Sequence, residues 1–252
     1  MTRVGIITQA RTTSTRLPGK VLIEAGGRTM LDHHLDRLQR SGIDIYVATT
    51  MNDVDDPIVS IASEQQLGYH RGSEQDVLAR FHECAQKFHL DVVVRVTSDC
   101  PLIDGRVVAE AVAAFRQEAN PRLYLSNGLV RTFPRGFDFE IFSAELLAEA
   151  NDQAQEPAQR EHVTPYIYGN LPGNISLRNV AWNVDRSRYR ITLDTKDDLR
   201  LIKTLIEQYG AAGLSCASII DILDRNPALA GINSHVEQKR LDDISNPSER
   251  GG

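Results

Sequence analysis

A β-branched run, Asp91-Val92-Val93-Val94-Arg95-Val96, constrains the fold of this chain more than any other segment. It is apolar on successive positions, not alternate ones, so it predicts a strand covered on both faces, as in the middle of a parallel sheet. The flanking sequence repeats a rhythm of short strand and amphipathic helix. Val4 to Thr8 is a first strand, followed by a polar loop through Gly27. From Thr29 to Arg40, the residues Met30, Leu31, Leu35 and Leu38 keep helical spacing, with Thr29 as N-cap. Ile43 to Thr49 is a second strand, and Asp56-Pro57 opens a helix with an acidic cap and proline at the first helical position. Gly68 to Arg71 is a short extended piece, and Ser73-Glu74-Gln75-Asp76 has the form of a capping box before Val77, Leu78, Phe81 and Ala85. Another helix is predicted from Arg106 to Gln117. Strands alternating with helices predict an α/β fold with a doubly wound, mostly parallel sheet.

The middle departs from this rhythm. Leu123 to Ser143 reads as strands joined by polar turns, including the alternating Phe137-Asp138-Phe139-Glu140-Ile141. A helical stretch is expected from Pro157 to about Tyr168, then strands at Leu177 to Val184 and Arg190 to Leu193. Helices follow from Thr195 to Tyr209 and from Ser215 to about Arg225, and Asn246 to Gly252 is a polar, frayed tail. There is no internal repeat. The expectation is one domain over residues 1–252, with a small mixed-sheet insertion at about 123–190 and C-terminal helices and tail at about 211–252.

Composition bounds the function. A net charge of −6 gives no general attraction to nucleic acid or to anionic membranes, so neither is an expected partner. The three cysteines, Cys84, Cys100 and Cys216, are odd in number with none in a C-x-x-C pair, which argues against a disulfide framework or structural zinc. The N-terminus reads as a strand and not a signal peptide, and no apolar run approaches bilayer length. A soluble, cytoplasmic protein is expected. His33-His34 are adjacent and cannot share a helix face as metal ligands would, while Phe81, Phe115 and Trp182 read as core or sheet residues.

The segment that carries chemistry is Ala10-Arg11-Thr12-Thr13-Ser14-Thr15-Arg16-Leu17-Pro18-Gly19-Lys20. It sets three cations, Arg11, Arg16 and Lys20, among small and hydroxylic residues directly after the first strand. A polyphosphate needs this combination of close backbone approach, bidentate guanidinium contacts and a point charge. The segment is neither a G-x-x-x-x-G-K-[ST] loop nor a G-x-G-x-x-G fingerprint, and a solvated basic loop is the plain alternative. Asp99 follows the central strand, and Asp194 follows Ile191-Thr192-Leu193. Two carboxylates at strand ends beside a cationic loop suit a divalent metal bridging a triphosphate, although either alone reads equally as a helix or turn cap.

The same segment resembles the signature of the CTP-dependent sugar-acid cytidylyltransferases, which include the CMP-ketodeoxyoctonate and CMP-sialic acid synthetases. The likeness is to the branch named for spore-coat polysaccharide biosynthesis. Arg71-Gly72-Ser73-Glu74-Gln75-Asp76-Val77-Leu78, Asp99-Cys100-Pro101-Leu102-Ile103-Asp104, Arg160-Glu161-His162-Val163-Thr164-Pro165-Tyr166 and Leu193-Asp194-Thr195-x-x-Asp198-Leu199 match that branch in order. The resemblance implies a Rossmann-like nucleotidyltransferase fold that transfers CMP from CTP to an acceptor with loss of pyrophosphate, using Mg²⁺. It implies that Ala10, Arg11, Ser14, Arg16 and Lys20 hold the nucleotide, with Arg71, Ser73 and Asp76 near the cytidine. Asp99 and Asp194 are implied as the Mg²⁺ ligands, and Arg11, Lys20, Asp99 and Asp194 as the catalytic set. A homodimer, formed through the 123–190 region, is a family-level implication.

Two positions depart from the branch: Ser98 stands where Gly is frequent, and Thr13 where a small residue is frequent. Arg135 likewise replaces a common acid, which makes it a candidate contact for an acceptor carboxylate or phosphate. Asp138 and Glu140 would share one side of a strand, facing either the acceptor or water. Arg160 and His162 complete the acceptor candidates, with an ordinary helix surface as the alternative. Two rival functions stand beside this one. A glycosyltransferase that uses sugar nucleotides would not consume CTP, and a non-catalytic nucleotide-binding protein would release no pyrophosphate.

Overall fold

The computed structural model describes residues 2–237, so the predicted tail at 246–252 lies outside the described residues. Nine strands alternate with ten α-helices among those residues. The strands are β1 Val4–Gln9, β2 Glu24–Ala25, β3 Arg28–Thr29, β4 Asp44–Thr50, β5 Gly68–Gly72, β6 Val92–Thr97, β7 Leu123–Ser126, β8 Glu140–Ser143 and β9 Ser176–Asn179. The helices are α1 Met30–Gln39, α2 Asp56–Glu64, α3 Val77–Lys87, α4 Gly105–Glu118, α5 Ala144–Gln153, α6 Pro157–His162, α7 Pro165–Tyr168, α8 Lys196–Tyr209, α9 Cys216–Arg225 and α10 Pro227–Ala230. No helix is long and apolar enough to cross a membrane among the described residues.

Seven strands form one sheet in the order β5-β4-β1-β6-β8-β7-β9, and β2 pairs with β3 in a small hairpin. β1 lies parallel between β4 and β6, and β5 continues that parallel half. Only β8 runs against its neighbours, so the sheet is mixed but mostly parallel. The Val92–Val96 run occupies the predicted centre, and its alternate residues feed two cores. Val92, Val94 and Val96 pack with Leu31, Leu35, Ile58, Val108 and Val112 from α1, α2 and α4. Val93 faces Leu78, Phe81, Leu146 and Leu147 from α3 and α5. Covering both faces removes the strand's apolar surface from water on each side, which explains the continuous apolar pattern. Phe81 and Phe115 are core residues, and Trp182 packs edge-on against Phe133 over a third core beneath α8 and α9.

Several expectations about the elements are corrected. α5 was not anticipated, because Ala144–Gln153 buries only Leu146, Leu147 and Ala150 and its other positions are polar. The stretch from Pro157 to Tyr168 is two short helices, broken at Val163 (φ 72°) with Pro165 following. β9 ends at Asn179 instead of continuing to Val184, and Arg190 to Leu193 makes only an isolated bridge, Arg190 to Arg135. β8 starts at Glu140, so Asp138 and Glu140 do not alternate on one strand. α2 is preceded by Asp55, whose side chain makes no capping bond, and α3 is capped by Asp76, not by Ser73. Thr29 caps α1 as expected, and Asp32 completes a capping box with it.

The close crossing of residues 135–137 and 189–192 depends on Gly136. Its φ is 107°, and a Cβ there would lie 2.6 Å from the carbonyl carbon of Ile191. Gly136→Ala is therefore expected to destabilise the protein by roughly 2–3 kcal/mol. Chemical unfolding checks this; a variant as stable as the parent would contradict the crossing.

His34 fixes the turn after β6. Its Nδ1 donates to the Cys100 carbonyl at 2.9 Å, and Nε2 accepts from the Thr8 hydroxyl at 2.8 Å. Burial pushes its pKa down to about 4, so the ring is neutral in the fold. The unfolded chain takes up a proton near pH 6.5 and the folded chain does not, so stability is full above that pH and falls as pH drops toward 4. The expected loss is on the order of 3 kcal/mol. His34→Gln is expected to flatten this slope in urea unfolding at pH 7 and pH 5; an unchanged slope would remove His34 as its source.

Candidate active site

β1 ends at Gln9, and the cationic loop leaves the carboxyl edge of the sheet, where open α/β sheets form ligand crevices. The loop closes on itself through bonds from Ser14 N and Gly19 N to the Thr12 carbonyl, at 2.9 and 2.8 Å. Gly19 takes φ 66°, which lets Lys20 start a short 3₁₀ turn. Two carboxylates from neighbouring turns anchor it. Asp55 is fully buried and accepts from Thr12 N at 2.8 Å, the Thr12 hydroxyl at 2.7 Å and the Thr50 hydroxyl. Glu74 accepts from the Thr13 hydroxyl and from Asn52 Nδ2, and lies 3.6 Å from Arg11.

Lys20 is the meeting point of the two metal candidates. Its Nζ lies 2.7 Å from Asp194 and 3.7 Å from Asp99. Burial alone would lower the Lys20 pKa, but the facing charges of Asp99 and Asp194 outweigh it and hold it above its ordinary value. Burial would raise Asp194, yet Lys20, then Arg16 and Arg190, hold its carboxyl below the usual range. Arg16 and Arg190 reach it at 3.1 and 3.0 Å. The backbone explains the convergence. Leu193 N and the Thr192 hydroxyl both donate to the Asp99 carbonyl, at 2.7 and 3.1 Å, so Asp194 arrives beside Asp99 without belonging to the sheet.

Arg16, Lys20, Asp99 and Asp194 line a cavity of about 590 Å³. Of the candidates read from the sequence, Ala10, Arg11, Ser14, Arg16, Lys20, Asp99, Arg135, His162 and Asp194 face it. The others are engaged elsewhere. Arg71 donates to the Thr50 and Asn52 carbonyls at 2.8 Å each and pairs with Asp56. Ser73 accepts from Asp76 N, and Asp76 caps α3 while pairing with Arg160 at 2.5 Å. Asp138 pairs with Arg131 and accepts from Gly136 N. Glu140 is bound by Arg95, Tyr124 and Thr164.

The sequence reading missed Arg80 and Arg95, which also line the cavity. Both are cations set in apolar patterns: Arg80 falls three residues after Val77 on the buried stripe of α3, and Arg95 interrupts the valines of β6. That irregularity was the available signal. Arg80 Nε, Arg95 Nε and His162 Nε2 are buried with no hydrogen-bond partner among the described residues. Polar groups left so inside a fold are costly, and a ligand in the cavity would satisfy them. Burial, then Arg11, lowers the Arg80 pKa to about 10, and burial lowers His162, which keeps its imidazole neutral. The three cysteines are buried and their thiols pushed up, so none is poised as a thiolate nucleophile.

Comparison with known proteins gives a consistent answer. Residues 5–229 match the sequence profile of the family described as cytidylyltransferase. An uncharacterized protein of Methanocaldococcus jannaschii is 36% identical over 245 residues, covering 96% of this chain and 98% of its own length. The spore coat polysaccharide biosynthesis protein SpsF of Bacillus subtilis is 32% identical over 240 residues, covering 91% of this chain and 98% of its own. A cytidylyltransferase structure from Leptospira borgpetersenii serovar Hardjo-bovis superposes with TM-score 0.87 at 33% identity, covering 95% of this chain and 100% of that one. The fold, the sequence profile and these full-length relatives agree: the chain belongs to the cytidylyltransferase family.

Proposed function

We propose that this protein transfers CMP from CTP to a hydroxyl of a sugar acid, with release of pyrophosphate, to supply an activated CMP-sugar for surface polysaccharide synthesis. The observation that carries the reading is one cavity that joins the Arg11–Lys20 loop to two carboxylates sharing the Lys20 ammonium. The acceptor class is supported by further cations in the cavity lining. Arg80 and Arg135 line the cavity in addition to the cations of the loop, with Arg95 already paired to Glu140. Such a lining favours an anionic acceptor. Kinship with a spore-coat polysaccharide protein supports the pathway class.

The donor set also fits a divalent metal. Asp99 and Asp194 are hard oxygen donors that converge on one ammonium, the kind of position a Mg²⁺ ion takes. When bound there, Mg²⁺ would neutralise charge on the α-phosphate and acidify the attacking hydroxyl. The chain's residues supply the rest. Arg11, Arg16 and Lys20 hold the β- and γ-phosphates and take up the charge of the departing pyrophosphate. The acceptor oxygen bonds to the α-phosphorus as the bond to the β-phosphate oxygen breaks, and neutral His162 accepts the hydroxyl proton at Nε2. In this reading the enzyme is a cytoplasmic homodimer joined through the 123–190 region, which sedimentation equilibrium tests.

The deciding experiment is a pyrophosphate-release screen of CTP, UTP, ATP and GTP against acidic and neutral sugars, with Mg²⁺ or with EDTA. Release is expected only with CTP, an acidic sugar and the metal. CTP binding without turnover across a broad acceptor set, or activity untouched by EDTA, would sink the reading.

A further inference from the structure

Asp194 is held by a buried cluster that reaches into the C-terminal segment. Arg190 bridges two carboxylates: its Nη2 donates to Asp194 at 3.0 Å, and its Nε and Nη2 grip Asp198 at 2.9 and 3.1 Å. Asp198, in the first turn of α8, is fully buried and also accepts from Asp194 N at 3.1 Å and Thr195 N at 3.0 Å. Asn233 completes the cluster. Its Nδ2 donates to Asp198 Oδ1 at 2.7 Å and to the Arg190 carbonyl at 2.9 Å. Asn233 is only 2% exposed, and it lies beyond residue 229, where the family match ends.

We propose that Asn233 is a positioning residue for Asp194, acting through Asp198 and Arg190 to keep Asp194 available as a metal ligand. This rests on the reading of Asp194 as such a ligand. Asp198 accepts from Asp194 N and Thr195 N, so the seat of its carboxylate fixes the backbone from which the Asp194 side chain leaves. Asn233, bonded to both Asp198 Oδ1 and the Arg190 carbonyl, holds that carboxylate against the segment that precedes Asp194. Without that amide the Asp198 carboxylate loses a fixed partner, and the Asp194 backbone it anchors loses its orientation beside Asp99. Groups that orient a metal ligand typically change metal affinity by about 10–100-fold when removed.

The test is a Mn²⁺ titration followed by electron paramagnetic resonance, with CTP present, on the whole chain, Asn233→Ala and Asp194→Asn. Asn233→Ala is expected to weaken Mn²⁺ binding about tenfold and to raise the metal concentration for half-maximal turnover by the same factor, with the loss recovered at saturating metal. Asn233→Asp, which sets a second carboxylate against Asp198, is expected to weaken it further. If Asn233→Ala does not fold, Asn233→Ser keeps one short donor and is expected to show a smaller shift in the same direction. Unchanged Mn²⁺ affinity in the Asn233 variants, with Asp194→Asn abolishing binding, overturns the role of Asn233 alone. Unchanged affinity in Asp194→Asn overturns the ligand reading and this inference together.

Discussion

Asp99→Asn is expected to lower pyrophosphate release by about a thousandfold or more while leaving the fold in place. The substitution keeps the side chain's size and its bond from the Thr97 hydroxyl, which an amide oxygen accepts equally well. What it removes is one negative charge from a cavity wall where the α-phosphate, the metal and the attacking oxygen would meet. Lys20 keeps its shorter contact to Asp194 at 2.7 Å, so the cluster does not lose its cation. Asp99 is partly exposed, and its 3.7 Å contact to Lys20 is long, so the change in stability is expected to stay within about 1 kcal/mol. Turnover measured beside a thermal melt separates the two effects. Near-parental turnover in a folded variant would remove Asp99 from the chemistry.

The parallel half of the fold was legible because its signals are local. A valine run, a threonine N-cap and a cationic loop after a strand each act within a few residues, and β1, β4, β6 and α1 appear where they were read. What the sequence hid depends on distant partners. Asp194 looked like a strand-end residue, but its position comes from hydrogen bonds between residues 192–193 and the Asp99 carbonyl, and from the Gly136 crossing. Asp55 drew no role from the sequence, where Asp56-Pro57 marked the helix start, yet its carboxylate is spent on Thr12 and Thr50 and shapes the phosphate loop. Arg71, Ser73 and Asp76 match the family motif in order, but their side chains are tied to neighbouring backbone and to Arg160, outside the cavity lining. Motif order recovers kinship more surely than it recovers where a side chain points. Arg80 and Arg95 show the converse: a cation inside an apolar pattern is a local anomaly, and both face the cavity.

Lys20→Ala is the other change expected to have a large effect, and it should separate catalysis from stability by pH. Turnover is expected to fall about a hundredfold or more, because the ammonium that would follow the leaving pyrophosphate is gone. Stability should also fall, since Lys20 and Asp194 are both largely buried and each holds the other charged. Arg16 and Arg190 remain on Asp194, so the loss is expected on the order of 1–3 kcal/mol, less than for an ion pair left with no substitute. The sign follows from the two pKa directions. Lys20 is raised above 10.5, so its contribution is full below that pH and disappears as pH climbs through its folded value. Asp194 is lowered below 3.8, so its contribution is full above that pH and disappears as pH falls through its folded value. The deficit of the variant should therefore be flat from about pH 5 to pH 9 and begin to close below pH 3.8, where the unfolded chain takes up a proton at Asp194 before the folded parent does. Denaturant unfolding across that range reads it directly. A deficit that never closes as pH falls below 3.8, down to the acid unfolding of the parent, would mean that Lys20 supports the fold by packing its stem, and that its charge belongs to the phosphates alone.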